Sequence, residues 1–135
     1  MQLTSRYRFA AAHRLHAESL SPEQNRELYG KCNNPHGHGH DYVLDVTVEG
    51  DPDASGLLAR RAQLDEIVRN AVIRRLDHTY LNLDVAEFAS VVPTTENLAT
   101  AIRDYLKAAW TLPVKLVRVT IAETDRNTFV WEAGK

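Results

Sequence analysis

The sequence contains little cysteine, no long apolar run and no excess of positive charge. Cys32 is the only cysteine among 135 residues, which excludes an internal disulfide and fits a reducing compartment. No apolar stretch approaches the roughly 20 residues needed to cross a bilayer. The N-terminus moves directly into alternating polar and apolar residues, unlike a signal peptide. We therefore expect a cytoplasmic protein with no membrane partner.

The charge balance also limits the classes of partner. The chain has 16 Lys and Arg and 18 Asp and Glu residues, a formal net charge of −2 with its 6 histidines neutral. Nucleic-acid binding requires a basic patch that nothing here resembles, so no nucleic-acid partner is expected. A net charge this close to zero favours a small-molecule ligand. With 44% hydrophobic residues and no repeat or linker, the chain is expected to form one domain over residues 1–135.

Hydrophobic periodicity predicts four strands and two long helices. The predicted strands cover residues 2–9, 42–50, 114–123 and 128–131. The predicted helices run over about residues 57–76 and from Pro93 to just before Pro113. Residues 14–35 are polar and irregular, which predicts a long loop with at most one helical turn, and such loops are usually functional.

The order of these elements is strand, strand, helix, helix, strand, strand. Two hairpins separated by helices indicate an α+β fold, in which a four-stranded antiparallel sheet carries both helices on one face. Such a sheet has two open edges, and uncovered edges pair with other chains. We therefore expect a homo-oligomer that is built by sheet extension.

The segment from Cys32 to His40 suggests a metal site. Side chains two residues apart in an extended segment project to the same face, so His38 and His40 can reach one ion across Gly39. Imidazole nitrogen is a ligand that suits zinc. Two histidines hold a metal weakly, so a third ligand is needed. The competing interpretation is a solvated histidine cluster that binds metal adventitiously.

Three further histidines are candidates for the third ligand: His36, His16 and His13. His36 shares the parity of the pair, but the ends of a straight strand from residue 36 to residue 40 lie about 13 Å apart. His13 follows the first strand, which is expected to pair with the strand that begins at His40. Three histidines with no fourth protein ligand would leave one coordination position open, as in catalytic zinc sites.

Five segments together resemble the 6-pyruvoyl-tetrahydropterin synthase family, in the same order and over nearly the whole chain. They are Ala11–His16, Cys32–Tyr42, Leu76–His78, Pro93–Asn97 and Glu123–Asp125. The resemblance implies the tunnelling fold (T-fold), in which trimers stack into a hexamer around a sheet-lined barrel, with active sites at subunit interfaces. It also implies that the Zn²⁺ ligands are His13, His38 and His40.

The same resemblance assigns roles to the remaining site residues. It implies that Cys32 is the catalytic base, and cationic neighbours such as zinc or Lys31 would lower the pKa of its thiol. Asp77 and His78 match a proton relay that a neighbouring subunit contributes, although a histidine near a helix end also interacts well with the helix dipole. Glu123 matches the carboxylate that anchors the pterin. Thr94, Thr95 and Glu96 match further pterin contacts, and Thr94 is also a candidate helix cap.

The implied reaction is the conversion of 7,8-dihydroneopterin triphosphate to 6-pyruvoyl-tetrahydropterin by a zinc-dependent lyase that releases triphosphate. The family also contains 6-carboxy-5,6,7,8-tetrahydropterin synthases of the 7-deazaguanine (queuosine) route, which additionally release acetaldehyde. The loop between His13 and Cys32, and the spacing from Cys32 to His38, resemble the pyruvoyl type. The carboxy type is the alternative, and a non-catalytic zinc-binding protein is a remote one.

Two features stay open at the level of sequence. His36 stands where the pyruvoyl type carries asparagine, with an undetermined effect on loop charge or metal uptake. The residues that hold the triphosphate are not assigned, and Arg14, Lys31 and Arg126 are the candidates.

Overall fold

The structure, a computed structural model, describes residues 1–134. Its strands are β1 (Gln2–His13), β2 (His38–Glu49), β3 (Thr79–Tyr80), β4 (Lys115–Thr124) and β5 (Asn127–Glu132). Its α-helices are α1 (Pro22–Tyr29), α2 (Arg61–Val68), α3 (Arg74–Leu76), α4 (Leu81–Asp84) and α5 (Thr95–Ala109). A π-helical turn (Arg69–Ile73) joins α2 to α3, and 3₁₀ turns cover Gly30–Asn33 and Ala86–Ala89.

The sheet has five strands in the order β3-β1-β2-β4-β5, so the prediction of four strands was one short. The four long strands are antiparallel to their neighbours, as predicted. The additional strand, β3, has two residues and runs parallel to β1 beside Ala11 and Ala12. A two-residue strand is too short to show an alternating pattern, which explains why periodicity did not reveal it.

Both strands of the first hairpin extend further than predicted. β1 and β2 pair continuously from Gln2 opposite Glu49 to His13 opposite His38. The extension contains Ala10–Ala12 and Gly39, residue types with weak β propensity, and it forms because each strand completes the hydrogen bonds of the other. The histidines therefore lie in paired strands rather than in a loop.

The predicted loop over residues 14–35 contains more regular structure than expected. Helix α1 occupies two turns of it and begins with a capping box, in which Ser21 and Gln24 exchange side-chain to backbone hydrogen bonds. The only residue that this helix buries is Asn25, so no apolar periodicity marks the helix in the sequence. Helix α1 forms one wall of a cavity that Arg14 and His38 also line.

The core lies on one face of the sheet, under the helices. Alternate residues of β1, β2 and β4 are buried, and α5 packs its apolar residues against them. The fully buried side chains include Tyr42, Leu44, Leu98, Ile102 and Ile121. The predicted α+β architecture with helices on one face is thus observed. Within residues 1–134, no helix has the length and apolar character that crossing a membrane requires.

Gly37 makes the turn that brings the chain into β2. Its φ is +81°, and a Cβ built on it would lie 2.8 Å from the ring of Tyr80. The Gly37→Ala substitution combines backbone strain with this clash and is expected to lower the free energy of unfolding by about 1–3 kcal/mol. Urea unfolding of the metal-free protein measures it. Gly39→Ala is the control because no atom lies within 4 Å of its Cβ position. Equal midpoints for both variants would contradict the prediction.

Candidate metal and substrate site

The three predicted histidine ligands lie on the helix-facing side of the sheet. His13 ends β1 directly opposite His38 of β2, and His40 follows two residues later on the same face. The Nε2 atoms of His13 and His40 are 3.1 Å apart, and the rings of His38 and His40 have centroids 4.5 Å apart. The pairing of β1 with β2, expected from sequence, is what brings His13 to the other two.

The hydrogen bonds of His13 fix the orientation of its ring. Its Nδ1 donates to the carbonyl oxygen of Pro93 at 2.9 Å, and the side chain is fully buried. Because a carbonyl only accepts, the proton of the neutral ring is on Nδ1 and the lone pair of Nε2 is directed at His40. Metal-binding histidines are commonly held in this way by a second hydrogen bond.

Cys32 and Glu123 complete the cluster. One donor atom each from His13, Cys32, His40 and Glu123 lies within 4.8 Å of the others, a grouping that can hold a metal ion. Cys32 comes from the 3₁₀ turn after α1, whose position is fixed by the Leu15 amide donating to the Cys32 carbonyl at 2.7 Å. Glu123 comes from β4. The grouping therefore differs from the predicted ligand set, because it includes Glu123 and Cys32 and leaves His38 at its margin.

Glu123 faces two partners with its two carboxylate oxygens. Its Oε1 lies 2.7 Å from Nε2 of His40, and its Oε2 accepts a hydrogen bond of 2.5 Å from the Thr95 hydroxyl. Thr95 is buried, so this contact holds the carboxylate in place. Thr94 instead accepts from the Asn97 amide as the N-cap of α5, and the Glu96 side chain is exposed. Of the three residues predicted beside Glu123, Thr95 contacts it directly.

Burial keeps the histidines of the cluster neutral. It lowers the pKa of His13 to about 4, with the neighbouring His40 adding to the effect, and it also lowers the pKa of His40. Neutral imidazole is the form that binds metal. Burial, and then the Glu123 charge, raise the pKa of the Cys32 thiol, which is opposite to the expected direction. A cation held by the histidines would lower the pKa of this thiol.

Asp77 and His78 lie outside the four-residue grouping, at the outer edge of β1. Asp77 Oδ1 accepts from the Ala10 amide at 2.9 Å, and the His78 amide donates to the Ala10 carbonyl. His78 Nε2 is 3.5 Å from Asp77 Oδ2 in a side chain that is 82% exposed. His78 has a φ of +60°, a conformation that costs energy for a residue other than glycine and often marks a functional position. Neither residue belongs to the grouping of donor atoms around His13, although His78 and His40 line the same open cavity.

Two other histidines lie outside the cluster. His36 is exposed in the turn before β2, where its amide contacts the side chain of Asn34. His16 Nδ1 accepts from the Asn33 amide group at 3.0 Å. Sequence reasoning missed the role of Asn33, a buried residue whose Nδ2 also donates to the Leu15 carbonyl. A buried asparagine gives no periodic signal by which it could have been found.

The neutral state of His13 predicts that the metal-free protein is sensitive to acid. In the unfolded chain this histidine binds a proton near its ordinary pKa of 6.5, whereas in the folded protein its pKa is about 4. The unfolded state thus holds more protons in this window, so stability is present above pH 6.5 and falls by about 3 kcal/mol as the pH drops to 4. Urea unfolding at several pH values measures the slope. The dependence of stability on pH is expected to flatten in His13→Gln and to remain in His36→Gln. Equal slopes in the two variants would refute the prediction.

Comparison with known proteins identifies the family of the chain. A family profile described as 6-pyruvoyl tetrahydropterin synthase matches residues 2–133. The Homo sapiens 6-pyruvoyl tetrahydrobiopterin synthase is 46% identical over 133 residues, 97% of this chain and 90% of the relative. A 6-carboxy-5,6,7,8-tetrahydropterin synthase of Aquifex aeolicus is 30% identical over 151 residues, 91% of this chain and 92% of the relative.

Solved structures agree on the fold. The structure of Caenorhabditis elegans 6-pyruvoyl tetrahydropterin synthase superposes with a TM-score of 0.92 at 38% identity, covering 99% of this chain and 96% of that one. The superposition confirms the tunnelling fold that was predicted for the single subunit. By sequence over nearly its whole length and by structure, this chain belongs to the 6-pyruvoyl tetrahydropterin synthase family.

Proposed function

We propose that this chain is a zinc-dependent lyase that converts 7,8-dihydroneopterin triphosphate to 6-pyruvoyl-tetrahydropterin and releases triphosphate. The observation that carries the proposal is the convergence of a buried histidine, a half-buried histidine, a thiol and an anchored carboxylate, whose donor atoms lie within 4.8 Å of one another. Relatives named 6-pyruvoyl tetrahydrobiopterin synthase at 41–46% identity support it. The 6-carboxy relatives are more distant, at 30% and 34% identity, the latter over 61% of the chain.

The donor set fits zinc. His13 directs an unprotonated Nε2 at the cluster. The Nε2 proton of His40 points at Glu123, and a bound cation would replace that proton. His38 lies against His40 and is the third predicted ligand. Bound there, zinc would polarise the hydroxyl groups of the substrate side chain and stabilise negative charge on their oxygens.

Glu123 and Thr95 would bind the pterin ring. The guanidine-like edge of a pterin presents two adjacent N–H donors, which a carboxylate accepts in bidentate fashion. The Thr95 hydroxyl holds Oε2 of Glu123 at 2.5 Å and so fixes the plane of the carboxylate before the ring arrives. Binding through Glu123 places the side chain of the substrate beside Cys32, because both residues belong to the cluster.

Cys32 would act as the base. As a thiolate it would remove the proton from the side-chain carbon next to the ring, and the electron pair of that bond is retained by the substrate. That pair enters the C=N bond of the ring as protons are added to its nitrogen and carbon, and the adjacent side-chain hydroxyl becomes a carbonyl. Loss of a proton from the next side-chain carbon then breaks the bond between the terminal carbon and the triphosphate oxygen, triphosphate leaves with that electron pair, and the resulting enol becomes the second carbonyl of the pyruvoyl group. The ring is reduced at the expense of its own side chain, so no nicotinamide is required.

Asp77 and His78 would complete the site of a neighbouring subunit within a homo-oligomer, with a hexamer of two stacked trimers as the expected form. The support is their position: they are held against the outer edge of β1 and the His78 side chain is exposed. From this position the pair would reach the substrate of a neighbouring subunit across an interface.

Subunit mixing tests this arrangement. Cys32→Ala and His78→Asn are each expected to abolish turnover, whereas oligomers assembled from equal amounts of both regain about one quarter of the sites, those with Cys32 from one subunit and His78 from another. Turnover after joint denaturation and refolding is the measurement. Asparagine suits the positive φ of residue 78. Absence of any recovery in properly assembled mixtures would place the relay and the base in the same subunit.

Product analysis tests the proposed function itself. The zinc-loaded protein is incubated with 7,8-dihydroneopterin triphosphate, and the products are identified by mass spectrometry. A pyruvoyl side chain is the expected result. A carboxylate with acetaldehyde would assign the chain to the alternative reaction. No turnover with zinc confirmed bound would refute the proposal for this substrate and favour a zinc-binding role.

A further inference from the structure

A basic cavity of about 440 Å³ lies beside the histidine cluster. The end of β1, helix α1 and the turns that follow it form its walls. Its charged and imidazole side chains are Arg14, His16, Arg26, Lys31 and His38. Within residues 1–134, no Asp or Glu lines it. Glu18 lies 4.0 Å from His16 but is 97% exposed, so the cavity presents cations without a facing carboxylate.

The walls of this cavity are fixed by hydrogen bonds. The side chain of Asn82 exchanges two hydrogen bonds with the backbone of Arg14, at 2.8 and 2.9 Å. The Nδ2 of buried Asn33 donates to Leu15 O at 2.6 Å and lies 3.0 Å from His16 Nδ1. Accepting at Nδ1 leaves the proton of neutral His16 on Nε2, as a donor. These bonds hold the backbone of residues 14–16 in place before an anion binds, which reduces the entropy that is lost on binding.

His38 connects the cavity to the cluster. Its ring lies against that of His40, whose Nε2 is 2.7 Å from Glu123, and His38 also lines the cavity. Across this face of the sheet, the Glu123 carboxylate therefore comes first, the histidines and the Cys32 thiol come next, and the cationic side chains of the cavity come last. A ligand bound to Glu123 at one end would extend past Cys32 and His38 into the basic cavity.

We propose that this cavity binds a linear triphosphate group, with Arg26 and Lys31 as phosphate-binding residues and Arg14 and His16 as the rigid wall. The inference rests on the proposed function for the identity of the substrate that carries the triphosphate. It selects two of the three candidates left open by the sequence, Arg14 and Lys31. It leaves out Arg126, which lies in the β4–β5 turn and does not line the cavity.

Inorganic triphosphate tests the assignment without requiring turnover. Its binding to the zinc-loaded protein is measured by calorimetry for the wild type, Arg26→Gln and Lys31→Gln. Both side chains are exposed, so the substitutions leave the core intact. Each is expected to weaken binding by about 10-fold, because a charge-assisted hydrogen bond is lost. Arg69→Gln is the matched control: it removes the same charge from an exposed residue outside the cavity and is expected to leave binding unchanged.

Three results would overturn the assignment. They are unchanged affinity in both cavity variants, an equal loss in Arg69→Gln, and monophosphate binding as tightly as triphosphate. Displacement by ATP and by 7,8-dihydroneopterin triphosphate separates a general nucleotide site from a pterin substrate site: tighter binding of the pterin is expected, and a preference for ATP would contradict the link to the substrate.

The binding of 7,8-dihydroneopterin, which carries no phosphate, separates this inference from the proposed function. Arg26→Gln and Lys31→Gln are expected to bind it as the wild type does, since it contacts Glu123 and not the cavity. A loss of this binding in the cavity variants would contradict the assignment. Specific triphosphate binding without turnover of the pterin would retain the cavity and refute only the proposed reaction.

Discussion

Replacing Cys32 with alanine is expected to lower kcat by about 10²–10⁴-fold, the range in which positioned general bases contribute. The physical reason is that Cys32 is the one described group beside the histidines and Glu123 that becomes a soft base when a cation lowers its pKa. The backbone of Cys32, not its thiol, accepts the hydrogen bond from Leu15, so the turn is expected to remain folded. Steady-state kinetics on zinc-loaded protein measures the effect.

The zinc content of the Cys32→Ala protein is the control, because it shows whether the thiol acts as a base or as a metal ligand. The thiol lies within ligand distance of the same cluster, so a structural metal ligand and a base are the two roles it can take. Full zinc content with lost turnover assigns the base. Loss of zinc together with turnover would make Cys32 a ligand. Near wild-type turnover would place the base elsewhere.

The part of the site that sequence predicted is the part that depends on strand geometry. The parity of His38 and His40 places both on one face of any strand, and the pairing of two alternating segments brings His13 to them. The same pairing dictates the antiparallel sheet. These predictions succeed because periodicity and short-range pairing are properties of the local sequence.

The elements that sequence did not predict depend on contacts between distant segments. The strand β3 exists because Thr79 and Tyr80 meet the edge of β1, almost 70 residues earlier in the chain. The contact of Thr95 with Glu123 joins the start of α5 to the end of β4. Neither has a local signal. The basic cavity is similar, since its cations come from β1, α1 and the start of β2 and are scattered in the sequence.

Substitution of Glu123 by glutamine is expected to raise KM for the pterin substrate by about 10- to 100-fold without loss of zinc. Glutamine still accepts the hydrogen bond from Thr95, but it loses the charge and replaces one acceptor with an amide group that faces the pterin donors. A lost hydrogen bond to a charged group weakens binding by about 1.5–3 kcal/mol, which corresponds to this range. Steady-state kinetics gives KM, and metal analysis gives the zinc content.

His38→Gln is the matched comparison, because it separates the two ligand sets that the site allows. With His13, His38 and His40 as ligands, His38→Gln loses zinc and Glu123→Gln retains it. The opposite result would assign His13, His40 and Glu123, a set of two histidines and one carboxylate that also holds catalytic zinc. The 2.7 Å contact between Glu123 and His40 makes that outcome geometrically accessible. In that case the bond from Thr95 would orient a metal ligand, and the pterin ring would need another anchor.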